Sequence, residues 1–138
     1  MSDSKYHYYL KDHQGNNRVV INQSGTVEET NHYYPFGGVF ASAGSIQPYK
    51  YNGKEFDNKK GLNWYDYGAR HYDAALGRFT TNDRFAEKYY SMSPYQYGAN
   101  NPVNNIDVNG DTIVVNPNPN GLIDNVRMFF GFDTKYQK

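Results

Sequence analysis

The sequence predicts a mainly β fold, made of antiparallel β-hairpins in a twisted sheet or partial barrel. Three observations carry this. Short runs rich in Tyr and β-branched residues alternate between two unlike faces, which is the period of a half-buried strand. One turn signal recurs, an Asp followed by Gly three or four residues on, at Asp12–Gly15, Asp57–Gly61, Asp73–Gly77 and Asp107–Gly110. Loops of three to five residues are what consecutive hairpins use, and the irregular spacing excludes a strict solenoid period. Before residue 115, only Arg84–Met92 has helical spacing.

Taken in order, Tyr6–Leu10 reads as a Tyr-rich strand, Asp12–Gly15 as a turn and Arg18–Ile21 as the β-branched return. Gln23–Gly25 turns again, and Thr26–Thr30 leads into His32–Tyr34 before Pro35-Phe36-Gly37-Gly38 breaks the strand. Residues 37–47, rich in Gly, Ala and Ser, read as the loosest loop. Pro48–Gly53 restarts a strand, and Glu55–Lys60 is a polar turn into the central stretch, Gly61–Phe79.

That stretch holds the only Trp and reads as strand, tight turn, strand. Tyr65, Tyr67, Ala69 and His71 alternate with Trp64, Asp66, Gly68, Arg70 and Tyr72. Asp73 and Gly77 bracket its turn, because an Asx side chain caps turn amides and Gly takes positive φ freely. Beyond it, Asp83 is a candidate N-cap for a short helix over 84–91, with Phe85, Tyr89 and Met92 on one face and Ser93-Pro94 as its stop. Tyr95–Gly98 is a short strand and Asn100-Asn101-Pro102 a turn; Val103–Ile106 and Thr112–Val115 flank the turn at Asp107–Gly110. Asn116–Gly121 reads as a linker, and Leu122–Gly131 as a possible short C-terminal helix.

Composition narrows the function. At 138 residues the chain fits one domain. Only 38% of it is hydrophobic, with 15 Tyr and 8 Phe, so the core should be aromatic and its hydroxyls must find partners. Lys+Arg and Asp+Glu both number 14, a balance that argues against a nucleic-acid or anionic-membrane surface. There is no Cys, hence no disulfide and no thiolate site. The N-terminus has no apolar signal region, and no apolar run approaches a spanning helix. His7, His13, His32 and His71 lack metal-ligand spacing. Asp107–Asp111 lacks the downstream Glu of an EF-hand loop. Phosphate-loop, G-x-S-x-G and Cys-nucleophile motifs are also missing. No metal and no cofactor are expected.

The central stretch resembles the core domain that closes Rhs and YD-repeat proteins, in its Bacteroidetes-type branch. Tyr72-Asp73 with Gly77-Arg78 is the best example of the repeat's logic. The resemblance continues through Thr80–Asp83, Ala86-Glu87-Lys88, Ser93-Pro94-Tyr95, Asn100-Asn101-Pro102 and Ile106-Asp107, covering about residues 5 to 110. It implies an RHS core domain over 1–115, with 116–138 a linker and short tail. It further implies a structural and interaction module, the cap of a YD-repeat shell that encloses a toxin. Trp64, Tyr65 and Tyr67 would pack against neighbouring repeats or cargo, with Tyr72, Gly77, Asp107 and Gly110 as structural positions. The implied partners are upstream RHS/YD repeats, a C-terminal toxin segment or another protein chain, with no nucleic acid and no membrane span. The implied setting is secreted or cell-surface within a larger bacterial protein, or cytoplasmic for a chain standing alone.

Two other functions are weighed beside the cap. Some members of that family cut their own chain just beyond a terminal Asp-Pro-x-Gly-Leu motif. The resemblance places the functional Arg at Arg70 and a functional Asp at Asp83, with Asp73 or Asp66 as the second carboxylate. Acid proteolysis needs one carboxyl protonated and one ionised. The structural alternatives are a cross-strand pair for Arg70, a turn cap for Asp73 and a helix cap for Asp83. The chain has Asp83-Arg84 where the family has Asp-Pro, and Asp107-Val108-Asn109-Gly110-Asp111 at the terminal motif. Both changes lead us to expect no cleavage, hence no enzyme. A carbohydrate-binding surface is the third function, resting on the 17% aromatic content.

Overall fold

The computed structural model of the protein describes residues 6–115. It is mainly β and antiparallel, and no barrel closes. Among the described residues the strands fall into three sheets. The first contains β1 (His7–Lys11), β2 (Asn17–Asn22), β3 (Val27–Tyr33) and β4 (Val39–Ala43), in that order. The second contains β5 (Glu55–Asp57), β6 (Trp64–Asp66), β7 (His71–Asp73) and β8 (Arg78–Phe79), again in chain order. β9 (Asn105–Asp107) and β10 (Ile113–Val115) form the third. The possible helix over 122–131 lies outside the described residues.

Several local expectations change. Part of the expected loop 37–47 is a strand: β4 is held by pairing to β3, Thr30 opposite Ala43 and His32 opposite Ala41. Ala-Ser-Ala has weak strand preference, so a neighbouring ladder decides it. Pro48–Gly53 does not run on as a strand. It makes one bridge at Tyr49 and then a 3₁₀ turn over Tyr51–Gly53, where Asn52 sits at φ 50°. Glu55–Asp57, expected as a turn, is β5. Tyr95–Gly98 contributes a single bridge, Gln96 to Arg78. The helix near 84–91 is one 3₁₀ turn, Ala86–Tyr89. Nine residues between Asp83 and Ser93-Pro94 cannot repay helix nucleation alone.

The central stretch reverses twice. Besides the turn at Asp73–Gly77, the chain turns back at Tyr67–Arg70, with Gly68 at φ 95°. This reversal puts Tyr65 opposite Tyr72, and Tyr72 opposite Phe79, on one face. Trp64, paired with Asp73, falls on the other face and is only half-buried.

The core is a cluster of Tyr51, Tyr65, Tyr67, Tyr72, Tyr97 and Phe79, each at most 2% exposed. Ring centroids lie 4.5 Å apart for Tyr72 and Tyr97, and 5.5 Å for Tyr72 and Phe79, within the range of favourable aromatic pairs. Every hydroxyl in it is satisfied. Tyr51, Tyr72 and Tyr65 donate to the successive carbonyls of Pro35 (3.0 Å), Phe36 (2.7 Å) and Gly37 (2.9 Å). Tyr67 and Tyr97 both donate to Asn52 Oδ1, at 2.6 and 2.5 Å. The Pro35–Gly38 turn is thus bolted to the second sheet's core. Gly37 has to be glycine there, since a Cβ would lie 2.5 Å from the Tyr51 ring.

Candidate functional site

A buried charge cluster forms where the Tyr67–Arg70 turn, the Asp83 segment and the β9–β10 turn meet. The β6–β7 turn aims Arg70 inward. Its geometry is fixed by Tyr67 N–H to Arg70 O at 3.1 Å and by Asp66 Oδ1 accepting from Gly68 N–H at 2.7 Å. Ala69 N–H donates to Asn109 O at 3.0 Å, which ties this turn to the one after β9. In the β9–β10 turn, Asp107 Oδ1 accepts the amides of Gly110 (2.5 Å), Asp111 (3.0 Å) and Thr112 (3.4 Å). Gly110 sits at φ +80°, and a Cβ there would come within 2.9 Å of Arg70 N.

Arg70, only 5% exposed, makes four kinds of contact. Its Nε donates to Gly110 O, and its Nη1 to Pro94 O at 3.0 Å. Its Nη2 lies 3.4 Å from Asp83 Oδ2 and 3.8 Å from Asp107 Oδ2. Its guanidinium carbon stacks 3.7 Å above the Phe79 ring. Asp83 is held on its own side, its Oδ1 accepting from Phe85 N–H at 2.7 Å and its N–H donating to Pro94 O at 2.9 Å. Asp111, also buried, pairs with Arg84, whose side chain is largely in solvent.

Burial pushes the Asp107 carboxyl up to about 6, against the pull of the Gly110 and Thr112 amides and of Arg70. Burial also draws Arg70 below its ordinary value, opposed by Asp83, Asp107 and Asp111. A guanidinium stays cationic regardless. The result is two carboxylates on one guanidinium, one of which, Asp107, keeps its proton to higher pH than an ordinary carboxyl, up to about 6. The same guanidinium holds the carbonyl of the Gly110–Asp111 peptide.

The structure therefore brings Arg70 and Asp83 together. It does not bring in Asp73, whose Oδ1 caps its own turn at Ala75 (2.9 Å) and Leu76 (3.1 Å) and whose Oδ2 receives Trp64 Nε1 at 3.3 Å. Asp66 is exposed and committed to Gly68. The second carboxylate at Arg70 is Asp107, which the sequence offered only as a turn former. A signal was available: of the four Asp turns, Asp107 alone sits between two aliphatic residues, Ile106 and Val108. Gly77 sits at φ 67°, its turn packed on Phe36. Among the described residues, no group of three or more His, Cys, Asp or Glu is placed to hold a metal.

A second buried pair stands apart. Glu29, 1% exposed, binds Lys50 Nζ and accepts from Asn31 Nδ2 (2.6 Å), Ile46 N–H (2.9 Å) and Gln47 Nε2 (3.0 Å). Burial alone would raise this carboxyl, but the donors outweigh it and hold it below its ordinary value. The pair fastens the loop after β4 to β3.

Comparison with known proteins gives the following. No family model matches the chain. Salivary gland surface protein 1 of Aedes aegypti is 40% identical over 116 residues, which is 81% of this chain and 3% of that protein. Among solved structures, the TcdB2–TccC3–Cdc42 complex matches 80% of this chain with TM-score 0.72 and 26% identity. The Photorhabdus luminescens Tc holotoxin pore does so with TM-score 0.71 and 26% identity. In each, this chain spans 5% of the matched chain. These structural neighbours are assemblies with other chains. Among the described residues of this chain no helix is long and apolar enough to cross a membrane.

Proposed function

We propose that the chain is the core domain that caps an RHS/YD-repeat shell of the toxin-associated kind, acting as a structural and interaction module outside the cell or at its surface. One observation carries this: residues making up 80% of the chain superpose, at TM-score 0.72, on 5% of a TcdB2–TccC3 chain. The domain would run over 1–115, with 116–138 as linker and tail. Among the described residues the outer edge of β1 has no partner strand, and a preceding repeat would add its strand there. The test is a TcdB2–TccC3 assembly whose matching stretch is replaced by residues 6–115. A closed particle that protects its contents from protease supports the cap. An assembly that expresses but stays open, while the inserted domain itself is folded, refutes it.

A second function has a specific observation in its favour. Arg70 grips the Gly110 carbonyl while Asp83 and Asp107 share its guanidinium, which is the equipment for acid hydrolysis of the chain near Gly110–Asp111. Against it stands the Arg84–Asp111 pair, which puts a third carboxylate beside the other two. We expect wild-type protein to stay intact for days at neutral and mildly acidic pH. Val108→Pro with Asp111→Leu should switch cleavage on, and adding Asp83→Asn should switch it off. Intact-mass spectrometry reads all three, and a wild-type fragment ending near Gly110 would establish the protease instead of the inert cap.

A further inference from the structure

β3 carries a polar row on its buried face. Alternate residues of a strand share a face, so Glu29 and Asn31 point the same way, and both are fully buried. Lys50, the residue before the Tyr51–Gly53 turn, reaches them and is buried too. The three side chains meet at one atom. Lys50 Nζ and Asn31 Nδ2 both donate to Glu29 Oε1, the amide at 2.6 Å. Two donors on one oxygen lie about 3–5 Å from each other. On the far side of the amide, Ser42 faces Asn31 across the β3–β4 ladder, and its Oγ donates to Asn31 Oδ1 at 2.8 Å.

A buried ion pair needs its spare lone pairs filled, and Ile46 N–H and Gln47 Nε2 already fill those of Glu29. Asn31 adds something else. Its carbonyl oxygen is polarised by a hydroxyl, its nitrogen rests on a carboxylate, and a primary amine shares that carboxylate. Nucleophile, proton-transfer group and polarised carbonyl are the parts that acyl transfer requires. The donors around Glu29 keep it ionised, the form that accepts a proton from an ammonium. The flexible four-carbon stem of Lys50 lets Nζ swing toward the amide carbon. Burial of all three side chains keeps out water, the competing nucleophile.

We propose that Lys50 Nζ and Asn31 Cγ join in an intramolecular isopeptide bond, with Glu29 as the proton-transfer group. Glu29 takes one proton from the Lys50 ammonium. The freed lone pair on Nζ forms the Nζ–Cγ bond, and the C=O electron pair moves onto Oδ1, where the Ser42 hydroxyl holds it. Glu29 passes its proton to Nδ2 and then carries a second one across from Nζ. As the C=O re-forms, the Cγ–Nδ2 bond breaks. The amide nitrogen departs as ammonium, leaving Glu29 ionised again and one proton on the new amide. A cleft lined by Ser42, Ile46, Gln47 and Lys50 adjoins the site and gives the ammonium a way out. The bond ties β3 of the first sheet to the segment that opens the second, and it does not depend on the cap function.

Intact-mass spectrometry of the full chain, denatured after prolonged incubation at neutral pH, reads the bond. The expected mass lies below that of the sequence by one ammonia. Wild type at the full mass would overturn the proposal. Lys50→Arg keeps a cation beside Glu29 but supplies no free amine, so it should restore the full mass. A loss that persists in Lys50→Arg would be a succinimide at an Asn-Gly step such as Asn109-Gly110, and would overturn it too. Glu29→Gln should also stay at the full mass; formation of the bond without Glu29 would remove its assigned role. Chymotrypsin cuts after Tyr33, Tyr34 and Phe40, between the two joined residues. Its digest of wild type should contain one branched peptide linking Asn31 to Lys50, and unbranched peptides alone would refute the bond. The wild-type mass and digest decide even where a variant fails to fold.

Discussion

Removing the Arg70 guanidinium tests whether the charge cluster holds the domain together. Arg70→Met keeps the apolar stem and its contact with Phe79 but leaves Asp83 and Asp107 without their shared cation. It also orphans the carbonyls of Gly110 and Pro94. Breaking a buried pair by deleting one partner costs about 3–5 kcal/mol, because an uncompensated charge stays behind. Each buried carbonyl left unpaired adds about 1–3 kcal/mol. These overlap rather than add, since Asp107 regains ease by keeping a proton, so the expected loss is about 4 kcal/mol. A domain of this size has about 5–15 kcal/mol in total. Chemical denaturation followed by Trp64 fluorescence should therefore show a much lower midpoint. Arg70→Lys should recover only part of it, because an ammonium cannot span two carbonyls and two carboxylates in a plane. A midpoint for Arg70→Met within error of wild type would mean that the cluster is solvated in solution and the reasoning fails.

Three further outcomes are expected. Asn52→Ala should cost at least about 2 kcal/mol, because it strands the hydroxyls of Tyr67 and Tyr97 in the core and removes a residue that tolerates φ 50°; an unchanged melting temperature would contradict the network. Trp64→Ala should cost about 1 kcal/mol, well below the 3–5 of a core aromatic, because Trp64 lies half-buried on the outer face; a loss equal to that of Tyr72→Ala would place it in the core after all. Asp107 should make stability fall as pH rises. Its folded carboxyl titrates at about 6 and an unfolded one at about 3.9, so between those values the native state binds more proton and loses that advantage as pH climbs. Denaturation midpoints between pH 4 and pH 7 should show this slope, and Asp107→Asn should flatten it; an unaltered slope would remove the assignment.

Much of the fold was legible because its signals are local. Hairpin turns announce themselves by Asp and Gly, and the strands β1, β2, β3 and β10 overlap the Tyr-rich and β-branched runs between them, while β9 (Asn105–Asp107) begins two residues later than the Val103–Ile106 run. The aromatic core with satisfied hydroxyls followed from counting Tyr against aliphatic residues. What the sequence hid was decided by partners. β4 is a strand only because β3 lies beside it. The reversal at Tyr67–Arg70 breaks an apparently continuous alternation, and so parts Trp64 from Tyr72, which that alternation had put on one face. Asp73 and Asp107 share one turn pattern, yet one caps an exposed turn and the other is buried against Arg70. The aliphatic neighbours Ile106 and Val108 were the one local sign of this difference, and the burial itself is set by the packing of distant segments.

The cluster also explains two departures in the sequence that looked unrelated. Arg84 and Asp111 each stand where the resembling family carries an apolar residue, Pro and Leu. They lie 27 positions apart and form one ion pair. Asp111 is buried and Arg84 mostly exposed, so the dependence is one-sided: a buried carboxylate without a cation is costly, whereas the arginine is hydrated with or without it. The pair is therefore best understood as a single change. It replaces a turn fixed by proline and an apolar contact with an electrostatic clasp across the mouth of the Arg70 site. The clasp holds the Asp111 side of the Gly110–Asp111 peptide, while Arg70 holds its carbonyl. We expect a segment clasped in this way to be held rather than cut, because hydrolysis needs the Gly110–Asp111 peptide free to part and the Arg84–Asp111 pair keeps its far side in place. On that expectation the geometry that looks like equipment for cleavage anchors the β9–β10 turn on the β6–β7 turn, through Arg70 to Gly110 O and Ala69 N–H to Asn109 O.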